Sequence, residues 1–321
     1  MVRADTAWLV TKQGEGERVA ILDTGIDVTH QEMVGKVDIG SSGSCVASEP
    51  DIVDRGFHGT AVASVVSTNG IAMASVAPDA ELVAVKVFGA GGSGPFSDII
   101  CGVIFAANAK VDVINMSLGA LIPDEVLTNP IVVALQRAVL YADKKGALVV
   151  ASSGNSGQNL DGPLAHVPSG LERVLSVGSV TQTTGGVVRS PFSNFGLTGV
   201  DIVAPGSRIL MACSSQTAPG VLPFTCGDAS YLLASGTSFS APHVAGAAAV
   251  VRSNIPGNEK PFQIDECLLE HAQDIGAPGV DVQFGAGLLD VLEAATECDK
   301  GNAKPPFPPA NPLNPRSGPK K

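Results

Sequence analysis

The chain has 321 residues, of which 45% are hydrophobic and 16% are charged. This composition is typical of a folded globular protein and excludes an extended disordered chain. The 20 basic and 31 acidic residues give a net charge of −11, which would repel phosphate backbones and anionic lipid surfaces. We therefore expect neither nucleic acid nor a membrane among its partners.

Apolar runs bounded by turn residues predict buried strands, and Ala-rich or amphipathic segments between them predict helices. The predicted elements, in chain order, are a strand at 18–25, a helix at 58–67, a strand at 82–89, a helix at 97–110, a strand at 111–119, a helix at 129–146, strands at 147–155, 174–180 and 200–206, and a helix at 238–254. Helices that alternate with strands apolar throughout predict a parallel sheet covered on both faces. The predicted fold class is α/β, with three α/β/α layers.

Residues 297–321 are rich in Pro, lack apolar periodicity and end on basic residues. We interpret them as a tail, and either a disordered end or a linker trimmed from a longer precursor fits the composition. Residues 1–296 then form one domain. The first ten residues lack a signal-peptide pattern, so export would require that a signal and any pro-segment had been removed.

Six cysteines without a CxxC pair argue against a zinc cluster. Two alternatives remain, namely three disulfides in an exported protein or buried free thiols in a reducing cytosol. Cys213 and Cys226 flank a short loop that contains Pro and Gly, so we predict that they are bonded. Cys267 and Cys298 bracket the C-terminal helical region and form the second predicted pair.

Ser238 lies where a run of small residues leads into a predicted helix. A helix start directs backbone N–H groups and the positive end of the helix dipole outward, which suits stabilisation of an oxyanion. A serine hydroxyl also needs a base, and the base needs an orienting group. Taken alone, such a serine is equally well explained as a helix N-cap.

Two residues meet that need. His58 is flanked by Gly and opens a predicted helix, whereas Asp23 ends an apolar strand, at the sheet edge where α/β proteins keep ligands. Each has an ordinary alternative, a structural histidine and a turn aspartate. The order Asp23, His58, Ser238 is that of one known arrangement of the serine-protease triad.

The segments AILDTGID, HGTAVAS and GTSFSAPHVAG resemble the three signature blocks of the subtilase family of serine peptidases. The resemblance covers about residues 5–296. It implies a mainly parallel seven-stranded sheet and cleavage of extended polypeptides through an acyl-enzyme. It also implies a cleaved pro-segment in the precursor, a secreted monomer and no cofactor for chemistry.

The resemblance further assigns Asn155 as an oxyanion donor. It assigns one substrate-binding edge to Ser117, Leu118 and Gly119, and the other to Gly92, Ser93 and Gly94. The glycines and Asn155 also fit ordinary turns. Leu118 and Ala151 suggest apolar pocket walls without an acidic partner, which predicts cleavage after apolar or medium-sized residues.

His166 falls where many relatives have a small residue at the base of the pocket for the side chain before the cut. If it faces that pocket, it would exclude large aromatics and admit Gln, Ser or Glu. Structural calcium is common in the family. Asp201, with carbonyls around Pro168 and Gly170, matches one cation position, whereas segment 67–78 looks too short for the family's strong calcium loop.

Two rival interpretations stay open. One is a catalytically silent subtilase-fold binding module, since fold alone does not fix function. The other is an intracellular processing peptidase, which differs only in compartment and specificity.

Overall fold

A computed structural model describes residues 1–220, 226, 230–255 and 260–298. The helices in these residues are α1 Ala4–Ala7, α2 His58–Val66, α3 Phe96–Asn108, α4 Pro130–Lys144, α5 Thr237–Asn254, α6 Pro261–Glu270 and α7 Val291–Glu297. The strands are β1 Arg18–Asp23, β2 Gly43–Ser44, β3 Glu81–Lys86, β4 Val113–Met116, β5 Ala120–Pro123, β6 Leu148–Ser152, β7 Leu164–Val167, β8 Val174–Thr183, β9 Gly186–Arg189, β10 Ile202–Pro205, β11 Ile209–Ala212 and β12 Tyr231–Ala234.

Seven strands form one parallel sheet in the order β10–β8–β6–β4–β1–β3–β2. The strand β9 extends this sheet as an eighth member, antiparallel to β8. Two smaller antiparallel pairs, β5–β7 and β11–β12, lie outside it. The predicted fold class, a mainly parallel sheet of seven strands, is thus confirmed.

Helices cover both faces of this sheet. Along β1, Val19 and Ile21 point into the core cluster that contains α2 and α5, whereas Ala20 and Leu22 point into the cluster that contains α3 and α4. Successive side chains of a strand alternate between faces, so a strand buried on both sides must be apolar at every position. This is why the strands appear in the sequence as unbroken apolar runs.

The strand order places the carboxyl ends of three strands side by side. The chain passes from β1 to β3 on one side and then to β4 on the other, so the order reverses at β1. In open α/β sheets the crevice at such a reversal is where ligands bind. Here it brings together the residues that follow β1, β4 and β6.

All six cysteines form disulfides. The predicted pairs Cys213–Cys226 and Cys267–Cys298 are present, with Cα–Cα distances of 5.7 and 5.5 Å. The third bond, Cys45–Cys101, crosses 56 residues of sequence and was not predicted. The structure therefore favours the disulfide alternative over free thiols.

The C-terminal bond keeps the chain attached to the body as far as residue 298. The predicted Pro-rich tail lies, from residue 299 onward, outside the described residues. None of the helices in the described parts of the chain combines the length and apolarity that crossing a bilayer requires.

Candidate active site

Asp23 and His58 meet at the carboxyl end of β1. Asp23 is the last residue of the strand and 1% exposed, and His58 is the first residue of α2. Both Asp23 carboxylate oxygens lie 2.9 Å from Nδ1 of His58. An Nδ1–H that donates to this carboxylate leaves Nε2 as the unprotonated nitrogen, which is the arrangement a general base requires.

The start of α2 is held by a buried carboxylate that the sequence did not single out. Asp54 accepts hydrogen bonds from the Thr60 backbone N–H at 2.8 Å and from the Thr24 hydroxyl at 2.7 Å. Thr24 in turn accepts from the N–H of Gly59 at 2.9 Å. The strand that ends in Asp23 is thereby tied to the helix that begins with His58, which fixes the distance between the two.

Opposing effects act on the imidazole of His58. Burial works against protonation and is the largest single influence on its pKa. The charge of Asp23, the hydrogen bond to it and the charge of Asp54 act the other way and together raise the pKa of His58 above its ordinary value. The ring is thus disposed to accept a proton.

Ser238 is the second residue of α5. Its backbone N–H lies in the first turn, where no intrahelical acceptor exists, and it points outward with the helix dipole. Its hydroxyl donates to the carbonyl oxygen of Ser117 at 3.3 Å, and the Ser117 hydroxyl donates to the carbonyl oxygen of Ser238 at 2.6 Å. Among the described residues no hydrogen bond joins Ser238 to His58, and catalytic hydrogen bonds are often long before substrate binds.

The amide of Asn155 has only one orientation that fits its neighbours. Its Oδ1 accepts from the backbone N–H of Thr237 at 2.8 Å and from the Thr237 hydroxyl at 2.9 Å. Only the oxygen of an amide can accept these bonds, so the NH2 group is directed away from Thr237. Thr237 precedes Ser238, and a Cβ built on Gly236 would lie 3.6 Å from the Asn155 nitrogen, which places that NH2 beside the nucleophile.

These residues line one open cleft of about 570 Å³. The cleft also contains both predicted substrate edges and further apolar side chains. Its lining residues include Asp23, His58, Ser238, Asn155, Ser117, Leu118, Gly119, Gly92, Ser93, Gly94, Gly154, Ser152 and His166.

The two predicted edges face this cleft from opposite sides. Backbone groups of Ser93 and Gly94 make no hydrogen bonds to described residues, and both residues are exposed. Gly119 has φ +157°, and a Cβ there would collide with the imidazole of His166. The backbone of Ser93 and Gly94 is therefore open to pairing with an extended chain.

One predicted pocket wall is wrong. Ala151 is completely buried in the core cluster on the α3 and α4 side of the sheet and does not line the cleft. Because side chains alternate along β6, its neighbour Ser152 faces the cleft in its place. Leu118 does line the cleft, as predicted.

The predicted cation ligands are engaged in internal hydrogen bonds. The Asp201 carboxylate accepts from the N–H of Ser176 at 2.9 Å, and the Pro168 carbonyl oxygen accepts from the N–H of Leu171 at 2.9 Å. Gly170 lines a cavity of about 440 Å³ that Asp201 does not reach. Within the described residues no group of three or more His, Cys, Asp or Glu could hold a metal. The Asp201 carboxylate and the Pro168 carbonyl thus contribute to the fold, and the cation position stays a prediction of the family resemblance.

The segment predicted to be too short for a calcium loop is held by protein groups. Glu32, which is fully buried, accepts from the N–H groups of Ile71 and Ala72 at 3.1 and 2.7 Å and from the Tyr231 hydroxyl at 3.0 Å. The Asn69 side chain donates to carbonyl oxygens of the 31–34 segment. A carboxylate thus anchors the loop.

Sequence comparison agrees with this geometry. The model of the "Subtilase family" of peptidases matches residues 14–287. The chain is 38% identical over 285 residues to Subtilisin Savinase of Lederbergia lenta, covering 88% of this chain and 91% of the relative. It is 34% identical over 284 residues to the thermophilic serine proteinase of Bacillus sp. (strain AK1), covering 88% of this chain but only 62% of that relative.

Structural comparison gives the same result. A solved lanthipeptide protease superposes with a TM-score of 0.77 at 28% identity, covering 92% of each chain. The family model, the identity to known subtilisins and the shared fold together show that this chain belongs to the subtilase family.

Proposed function

We propose that the protein is a serine endopeptidase that cleaves extended polypeptides through an acyl-enzyme. Ser238 Oγ attacks the peptide carbonyl while Nε2 of His58 takes its proton, and Asp23 stabilises the resulting imidazolium. His58 then gives the proton to the leaving amine, and a water molecule activated by the same base hydrolyses the ester. The observation that carries the proposal is the bond between Asp23 and His58 in the cleft that holds Ser238.

The negative charge that develops on the carbonyl oxygen needs donors. The Asn155 NH2 group and the Ser238 backbone N–H supply two, and Thr237 holds the first in place before substrate arrives. No step in this mechanism requires a metal or an organic cofactor. Structural calcium remains a prediction of the family resemblance, which a comparison of the unfolding midpoint in calcium and in EDTA tests.

The substrate is held as an extended strand between segments 92–94 and 117–119, where backbone pairing gives binding with little side-chain selectivity. Among the described residues that line the cleft, Asp23 is the only acidic side chain, and it is engaged by His58. A basic side chain before the cut has no counter-charge there. We therefore infer broad cleavage after apolar or medium-sized residues.

Secretion is part of the proposal, because three disulfides are typical of an oxidising compartment. A monomer made with a cleaved pro-segment is likewise proposed. Intracellular processing is the alternative, and the structural similarity to a lanthipeptide protease is the observation that favours it. A cleavage profile on a peptide library separates broad digestion from cleavage at one motif.

The decisive experiment compares the chain with its Ser238→Ala variant. We expect the parent to hydrolyse casein, to react with a fluorophosphonate probe and to be inactivated by phenylmethylsulfonyl fluoride, and we expect the variant to do none of these. Equal hydrolysis by both would refute Ser238 as the nucleophile. A folded parent that neither cleaves nor reacts would favour the non-catalytic binding module.

A further inference from the structure

His166 closes the inner end of the cleft between its two walls. It lies on β7 and is 6% exposed. A Cβ built on Gly119 would overlap the ring, and one built on Gly154 would lie 2.7 Å from its Cδ2 and 2.8 Å from its Nε2. The imidazole therefore fills the gap that these two glycines leave open, and it reaches the cleft that contains Ser238.

A peptide acylated on Ser238 would direct its side chain toward this ring. Its carbonyl oxygen lies toward Asn155 and its chain runs along segment 117–119. The side chain before the cut then enters the space between that segment and Gly154, where His166 forms the end wall.

The hydrogen bonds of His166 define which ring nitrogen carries the proton. Nδ1 lies 3.0 Å from the hydroxyl oxygen of Ser169, and that hydroxyl lies 3.2 Å from the carbonyl oxygen of His166. The hydroxyl has one proton, so both bonds form together only when it donates to the carbonyl and accepts from Nδ1–H. Nε2 is then an acceptor, and no hydrogen bond joins it to the described residues, so it is open to the cleft.

The ring is also uncharged at neutral pH. Burial lowers the pKa of His166 to about 4, so a working enzyme near pH 7 presents a neutral imidazole at this position. A substrate side chain that covers Nε2 without supplying a donor would leave a buried acceptor without a partner, which is costly, whereas a side chain that supplies a donor avoids that cost.

We propose that Nε2 of His166 selects, as the residue before the cut, an uncharged side chain that carries a hydrogen-bond donor, with Gln and Asn the best fit. The inference rests on the proposed peptidase function. It keeps the preference for medium-sized residues but places donor-bearing side chains above apolar ones of the same size, in place of broad cleavage after apolar residues. Ser169 acts as a positioning residue, since it holds the imidazole in the accepting tautomer.

Charged side chains fit this end wall poorly. A Lys or Arg would bury its charge against a neutral acceptor without an acidic partner, and an ionised Glu would bring its oxygen against the lone pair of Nε2. The expected order is therefore Gln above both Glu and Lys, which differs from the expectation that Glu is accepted, and the peptide series below decides between the two.

The test measures kcat/KM on peptides that differ only before the cut, paired for size as Gln with Met and Asn with Leu. An unsatisfied buried acceptor corresponds to a preference of about 10- to 100-fold for the donor-bearing member. In His166→Leu we expect this preference to fall to about one or to reverse. Ser169→Ala keeps the imidazole but removes the hydroxyl that fixes its tautomer, so the preference for Gln should lie between that of the parent and that of His166→Leu.

A second measurement reports the protonation of His166 directly and does not rely on the cleavage specificity of any variant. The ¹⁵N shifts of labelled histidine, recorded at pH 7 in the Ser238→Ala protein, should show an unprotonated Nε2 for His166, with His166→Leu identifying the resonance. A protonated Nε2 would overturn the inference. An enzyme that reacts with a fluorophosphonate yet prefers Met to Gln would overturn the inference about His166 and leave the peptidase function standing. A protein that does not react would overturn the peptidase function as well.

Discussion

The oxyanion site can be tested by a substitution that changes one group and keeps its supports. In the parent protein, Oδ1 of Asn155 accepts from the backbone N–H of Thr237 at 2.8 Å and from its hydroxyl at 2.9 Å. In Asn155→Asp a carboxylate oxygen replaces Oδ1 and still accepts both bonds. The NH2 donor becomes an oxygen that repels the oxyanion. Because the two bonds from Thr237 remain, we expect the fold to be preserved and only the transition state to suffer.

The size of the effect follows from the number of donors. Asn155 supplies one of two, and loss of the corresponding donor in a subtilisin lowers kcat by about 10²–10³, or about 2.7–4 kcal/mol. We expect at least this loss in Asn155→Asp, with KM nearly unchanged, because the oxyanion exists only in the transition state. Asn155→Leu should lose similar activity but also stability, since it leaves two donors of the buried Thr237 unsatisfied.

The assay is the hydrolysis of a chromogenic peptide, with kcat expressed per titrated active site and the urea midpoint measured in parallel. Thr237→Val provides the graded control, because it retains the backbone bond to Asn155 and removes the hydroxyl, which donates to Asn155 and accepts from the N–H of Gly154. A rise in KM with kcat unchanged in Asn155→Asp would show that Asn155 binds the ground state, and it would refute the oxyanion role.

Three further predictions concern pH and stability. The kcat/KM of the parent should rise with pH as His58 loses its proton, and the midpoint of this rise should lie above the ordinary histidine pKa of about 6.5. In Asp23→Asn the midpoint should be lower than in the parent. A profile that is flat from about pH 6 to 9 would contradict this. Glu32→Gln should lower the free energy of unfolding, measured by urea denaturation, by about 1–3 kcal/mol, and EDTA should leave this difference unchanged. Burial alone would raise the pKa of Glu32, but its hydrogen bonds lower it, so the difference should shrink in acid. Replacing Cys45 and Cys101 by Ala should cost about 2–5 kcal/mol, and an unchanged thermal midpoint would argue against that bond.

The elements and their layers were predictable from the sequence because burial leaves a local pattern. A strand covered on both faces is apolar through its middle, and this holds for residues 19–22 of β1 and 148–151 of β6, whereas β4 carries the buried Asn115. The catalytic candidates follow from the same pattern, since Asp23 ends a strand and both His58 and Ser238 open helices. The short-range pair Cys213–Cys226 was predictable because 13 residues separate the two.

Contacts between distant segments were not predictable in this way. The bond Cys45–Cys101 depends on where β2 and α3 lie, and the bond between Thr24 and Asp54, which ties β1 to the start of α2, joins segments 30 residues apart. Ala151 was misplaced because apolar character alone does not tell which face of a continuously apolar strand a side chain takes.

The sequence by itself determined the family, the layered fold and the identity of the residues that could form a triad. Only the tertiary structure decided how the flanking groups are oriented. The amide of Asn155 is turned by Thr237, and the free nitrogen of His166 is set by Ser169 and enclosed by Gly119. The physical reason is that a local pattern records burial and turns, whereas the direction of a hydrogen bond is set by whichever segment the fold brings opposite it.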